Sequence, residues 1–164
     1  MNFSFQIIPF FKGKRATFYT ILIEGEELSE GDKFLDNDRV NQNRHFADLK
    51  QVLFNLKDKY GARLQFFKDE GLPGDMVNAL YVRRGNLRWY CLRWSNQMVI
   101  FGNGGEKNVR ATQDDPFLKN AEYGLRWVNQ CFEKAVEREE IWVTLDGEIQ
   151  GNLVFNKEDY IDRR

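Results

Sequence analysis

Six basic residues, Arg83, Arg84, Arg88, Arg93, Lys107 and Arg110, fall between Ala79 and Thr112 against a single acid, Glu106. Guanidinium groups bind phosphate through charge and forked N–H donors, and a lysine adds a compact charge that can give up a proton. Lys107 closes the run GNGGEK, Gly102 to Lys107, whose glycines admit three readings: a phosphate-handling loop, a close approach of backbone to substrate, or a strand ending in a turn. Spacing removes the nucleotide loops. A P-loop needs Gly-Lys-Ser/Thr, whereas Lys107 follows Glu106, and a GxGxxG pattern needs a glycine where Lys107 stands. What remains is a strand end with little side-chain bulk beside a lysine. Tyr81, Tyr90 and Trp94 are the aromatic residues on which a base could stack.

Other chemistries find less support. His45 is the only histidine and stands at a helix start with no Ser or Cys nucleophile near it, and Ser4, Ser29 and Ser95 have no triad context. Cys91 and Cys131 lack metal-ligand spacing and read as buried reduced thiols, so no metal site and no cofactor is expected. Glu133, Glu137 and Glu140 share a helix flank and read as a solvated face.

Strand alternation sorts the bases. In LRWYCLRW, Arg88, Tyr90, Leu92 and Trp94 take one face and Trp89, Cys91 and Arg93 the other. With one face of the sheet exposed, Arg88 and Arg93 do not share a site. Three strand candidates, MVNALYVRR, NLRWYCLRW and QMVIFGN, are linked by short Gly- or Asn-containing turns and form an antiparallel meander. Before them, ARLQFFKDEG reads as a short strand and Leu72-Pro73-Gly74-Asp75 as a turn. Phe46, Leu49, Val52, Leu53, Leu56 and Tyr60 predict an amphipathic helix stopped at Gly61. A longer one opens at Asp115-Pro116 and runs to about Glu140, with Phe117, Ala121, Leu125, Val128, Phe132 and Val136 as its apolar stripe. Residues 1–25 read as an N-terminal hairpin, 141–156 as a C-terminal hairpin around Asp146-Gly147, and 157–164 as a charged tail. The polar stretch from Gly25 to Arg44 has no sustained period and reads as loop with at most short structure.

These elements make one α+β domain over 1–164, an antiparallel sheet packed against two main helices with a hairpin at each end. Its 164 residues are enough to bury roughly two thirds of the unfolded chain's surface. Aromatics, at 15% with 14 Phe, predict a large aromatic core. The opening MNFSFQIIPFFKGKR lacks the order of a signal peptide and no stretch is apolar enough to span a bilayer, so a cytoplasmic location and no membrane partner are expected. Net charge is -1, but from Glu133 to Arg164 nine acids face five bases. That asymmetry raises the hypothesis that the acidic tail docks over the basic strands, which the sequence alone does not decide.

The order of helix, antiparallel strands with central arginines, Gly-Lys strand end and Pro-opened helix resembles the RelE/HigB/ParE superfamily of bacterial toxins over about 46–138. The local likeness is LYVRRGNLRWYCLRWSNQMVIFGNGGEK followed by TQDDP. The chain differs in carrying Leu80-Tyr81-Val82 where some members have a lysine pair, and in being longer at both ends. The resemblance implies a metal-independent endoribonuclease acting on messenger RNA, with RNA or the ribosome and a cognate antitoxin as partners. It gives Arg88 the charge developing on the phosphate, Lys107 or Arg110 the leaving oxygen, and Arg83 or Arg84 the neighbouring phosphate. The competing reading is a non-catalytic protein-interaction module with a basic sheet surface. The toxin reading expects Arg88 and Lys107 to converge on one exposed concave face; the module expects one of them buried in an ion pair.

Overall fold

A computed structural model describes residues 2–70 and 76–161. The expected turn at Leu72 to Asp75 lies outside the described residues. The chain begins with an antiparallel pair, β1 (Phe5–Lys12) and β2 (Thr17–Ile23). Two short helices follow, α1 (Glu30–Asp36) and α2 (Asp38–Asn41), and then α3 (Phe46–Asn55), which continues as a π-helical turn over Leu56–Tyr60. Strands β3 (Phe67–Asp69), β4 (Val77–Leu80), β5 (Leu87–Arg93) and β6 (Met98–Glu106) lead into the long helix α4 (Pro116–Glu137). The chain closes with the hairpin β7 (Ile141–Val143) and β8 (Ile149–Gly151), and with β9 (Val154–Phe155). No helix among the described residues is long and apolar enough to cross a membrane.

Seven strands form one sheet in the order β3-β4-β5-β6-β2-β1-β9, antiparallel except where β2 runs parallel to β6. The N-terminal hairpin is thus the continuation of the main sheet. This α+β arrangement has α4 on one face and α1 to α3 on the other, so both faces are covered, where the sequence reading left one exposed. Alternation along β5 shows it. Tyr90 and Leu92 pack with Leu125, Val128 and Phe132 of α4, while Trp89 and Cys91 pack with Phe34 of α1 and Leu49 and Leu53 of α3. Phe34 stacks on Trp89 at 4.4 Å between ring centroids, and Trp89 donates through Nε1 to the Gly102 carbonyl at 2.8 Å.

The short structure within the polar stretch is α1 and α2, each of which has a cap and an apolar anchor. Ser29 Oγ accepts from Asp32 N, Asn37 Oδ1 accepts from Arg39 N and Val40 N, and Phe34 and Val40 are fully buried. Gly61 ends the π turn in the left-handed region at φ 76°. Asp115 caps α4 as expected, accepting from Phe117 N and Leu118 N. The buried face of α4 is rotated from the predicted stripe. Leu118 is 1% exposed and Phe117 52%, and the helix stops at Glu137.

The C-terminal hairpin forms around Gly147, and the residues after it pack away from the basic strands. Ile149 N donates to the Tyr19 hydroxyl, β9 pairs with β1, and Arg138 donates to the Asp159 carbonyl. Ile141, Ile149, Phe155 and Tyr160 are core residues. The tail as far as Ile161 therefore completes the core beside α4 and β1 and does not fold over Arg88.

Candidate phosphate site at the sheet rim

The β4–β5 turn and the end of β6 lie at the same end of the sheet, because antiparallel register sets Leu87 opposite Glu106 and Arg88 opposite Gly105. The GNGGEK run is neither loop nor turn here: β6 continues through Glu106. Between Trp89 opposite Gly104 and Cys91 opposite Phe101, β6 advances three residues for two on β5, a β-bulge at Gly102-Asn103. Gly104 has no alternative in this arrangement. A Cβ there would lie 2.0 Å from the Arg88 carbonyl oxygen. The close approach is of backbone to backbone, and it holds Arg88 against the end of β6.

On the α4 face, Arg88 and Lys107 converge on one carboxylate, that of Glu70, the first residue after β3. Arg88 Nε lies 2.8 Å from Oε1 and Lys107 Nζ 2.6 Å from Oε2. The side chains are 11%, 14% and 4% exposed respectively. Thr112 Oγ1 lies 3.3 Å from Oε2 and 3.0 Å from the Tyr90 hydroxyl. Arg88 also donates through Nη1 to the carbonyls of Gly85 and Leu87, and its guanidinium sits 5.6 Å from the centre of the Tyr81 ring. Burial pushes the Glu70 carboxyl up, but the Lys107 hydrogen bond and charge, with those of Arg88, outweigh it and hold the group below its ordinary value. Burial likewise raises the Tyr90 phenol to about 12, against the Thr112 hydrogen bond.

On the opposite face, Glu106 accepts from Asn43 Nδ2 at 2.7 Å and lies 3.4 Å from Arg39 Nε. Asn43 also donates to Asn86 Oδ1, and Asn86 Nδ2 donates to Asn108 Oδ1, so a chain of carboxamides runs along the rim from the α3 side to the residues after β6. Above it opens a cavity of about 470 Å3 bordered by Arg44, His45, Arg84, Asn86 and Glu106. Arg84 has φ 68°, in the left-handed region that costs a non-glycine residue about 1 kcal/mol.

Of the residues singled out in sequence, Arg88 and Lys107 come together, but in a largely buried ion pair with Glu70, as the module reading expected, and not on an exposed concave face; Tyr81 stands beside them, and Arg83, Arg84 and Arg110 are exposed. Tyr90 is at the site but fully buried, which leaves no ring face for a base. Trp94 packs edge-on against Phe132 at the far end of β5, about 20 Å along the strand from Arg88. Arg93 is also at that end and donates to the Ala62 carbonyl. Glu70 was not singled out; the signal available was an acid directly following a short strand, which fixes no partner. Both cysteines are buried and free, and among the described residues no group of three or more His, Cys, Asp or Glu side chains could hold a metal ion. Comparisons of the chain with protein-family models, curated proteins and solved structures find no match.

Proposed function

We propose that the rim binds a phosphodiester of single-stranded RNA and cleaves it without a metal, as a toxin of the RelE/HigB kind does. One observation carries this reading: a cation on β5 and another just past the end of β6 each contact a different oxygen of one carboxylate, at 2.8 and 2.6 Å, as they would two oxygens of one phosphate. A phosphodiester taking that place releases the Glu70 carboxylate, which is then the nearest proton acceptor. Glu70 takes the proton of the RNA 2′-hydroxyl and the 2′-oxygen attacks the adjacent phosphorus. Arg88 balances the charge on the equatorial oxygens, and Lys107 gives a proton to the departing 5′-oxygen. The products are a 2′,3′-cyclic phosphate and a 5′-hydroxyl. Arg83, Arg84 and Arg110 hold flanking phosphates, and Tyr81 offers the stacking surface. Messenger RNA on the ribosome, a cytoplasmic setting and a cognate antitoxin encoded by an adjacent gene belong to the same proposal.

Purified protein incubated with RNA in EDTA should give cyclic-phosphate ends, and induction should arrest growth. Arg88→Ala, Lys107→Ala and Glu70→Gln, each checked for folding by circular dichroism, should lose both effects. Cleavage undiminished in the folded variants removes the mechanism.

The enclosure of the cluster favours a second reading, the interaction module, which expected an ion pair of this kind where the toxin reading expected an exposed face. With Glu70 only 4% exposed, the three residues also make a strut tying the residue after β3 to β5 and β6 in a non-catalytic interaction module. That reading expects wild-type protein to show no cleavage and no toxicity, with all three variants simply less stable.

A further inference from the structure

The parallel pairing of β2 with β6 ends at Thr20 opposite Phe101. Beyond it, Ile21 to Ile23 pair with β1 and Gly104 to Glu106 with β5, so the two strands part. A trough of about 550 Å3 opens in this split, between α1 and α4. Phe3, Ile21, Phe117, Ala121 and Leu125 give it an apolar floor and wall. Its other wall carries Glu24, Glu26 and Glu30 against one base, Lys33, which bridges Glu26 and Glu30 at 2.5 and 2.6 Å. The Glu24 carboxylate has no ion pair among the described residues and stands exposed.

Gly124 lines the same trough from the middle of α4. Glycine in a helix interior is unfavourable relative to alanine, so its presence asks for a reason. The fold supplies none. A Cβ at Gly124 would meet only the Phe3 ring, at an ordinary 3.8 Å, whereas at Gly102 across the trough it would press on Leu125 at 2.9 Å. What Gly124 does is keep the apolar wall recessed and the trough open.

We propose that the trough is a docking site for a basic amphipathic segment of another polypeptide, with an apolar side chain seated beside Gly124 and a lysine or arginine paired with Glu24. Charge complementarity selects the occupant: an apolar wall facing an acidic one fits a segment with an apolar face and a basic edge. The trough is open along the split, so a small molecule would not be enclosed as ligand pockets enclose theirs. The site is separate from Arg88 and Lys107, and the inference does not rest on ribonuclease activity.

The test uses the full chain and a short fluorescein-labelled peptide of leucine and lysine, read by polarisation, with a leucine–glutamate peptide as control. Gly124→Leu fills the recess and Glu24→Lys reverses the unpaired charge; Gly124→Ala, which keeps most of the space, should raise the melting temperature. Binding of the lysine peptide alone, weakened roughly tenfold by either Gly124→Leu or Glu24→Lys, supports the site. Equal binding of both peptides, binding that Gly124→Leu leaves unchanged, or no binding overturns it. So does a perturbation of the Gly124 amide resonance by tryptamine but not by peptide, which would make the occupant a small amine, or a wild-type dimer that Gly124→Leu dissociates, which would make it a second copy of the chain.

Discussion

Glu70 is the residue on which the rim turns, and its titration gives the sharpest expectation. Removing one partner from a largely buried ion pair leaves the other charges uncompensated, so Glu70→Gln should lose about 3 kcal/mol at pH 7 in urea denaturation. The sign with pH follows from the depressed folded pKa. The carboxylate's contribution is present above its ordinary value of 4.5 and is lost as pH falls through the lower folded value. Wild type and Glu70→Gln should therefore converge in stability at acid pH; a gap that persists there would show that the charge of Glu70 is not what matters. Arg84 makes the opposite case. Its φ of 68° suits glycine, so Arg84→Gly should keep or slightly raise stability, by up to about 1 kcal/mol, while weakening RNA binding. A clear fall in melting temperature would mean that its side chain supports the turn.

At the scale of elements, the bulge in β6 and the glycine after it place the site. Gly104→Ala forces a Cβ against the Arg88 carbonyl and should cost about 3 kcal/mol, whereas Gly105→Ala, whose Cβ would meet Leu118 at 3.5 Å, should cost far less. Thermal denaturation of the two side by side distinguishes a steric requirement at Gly104 from a general intolerance of the strand. The same elements show what a sequence can reveal. Helices α3 and α4 and strands β4 to β6 were legible because their apolar residues repeat at helical or strand period over enough residues. Helices α1 and α2 were not, since each buries little beyond one apolar residue, Phe34 or Val40, within a polar run. The parallel pairing of β2 with β6 and the meeting of Glu70 with Arg88 and Lys107 are long-range events. Alternation predicted that Arg88 shares a face with Tyr90 and Leu92, but nothing local predicted which helix covers that face or that a carboxylate would be waiting there.

Across the whole molecule, a net charge of -1 conceals a division of labour by position. Bases collect at the end of the sheet where β5 begins and β6 ends, acids line the split between β2 and β6, and the C-terminal strands close the core beside α4 and β1. Because the chain as far as Ile161 does not cover the rim, the described residues leave it open to a polyanion. Binding of single-stranded RNA by the intact chain should then weaken as salt rises, with a slope set by the number of phosphates neutralised. Arg83→Ala and Arg84→Ala, both at exposed positions outside the Glu70 cluster, should each reduce that slope by about 0.7 and lower affinity similarly for all sequences. Neither should alter the rate of cleavage once RNA is saturating, whereas Arg88→Ala should abolish that rate with a smaller effect on the slope. Fluorescence titrations across a salt series, with single-turnover cleavage on the same proteins, measure the two quantities separately. A slope unchanged in both rim variants would place the RNA elsewhere, and a loss of cleavage in them equal to that of Arg88→Ala would merge the rim and the cluster into one catalytic unit.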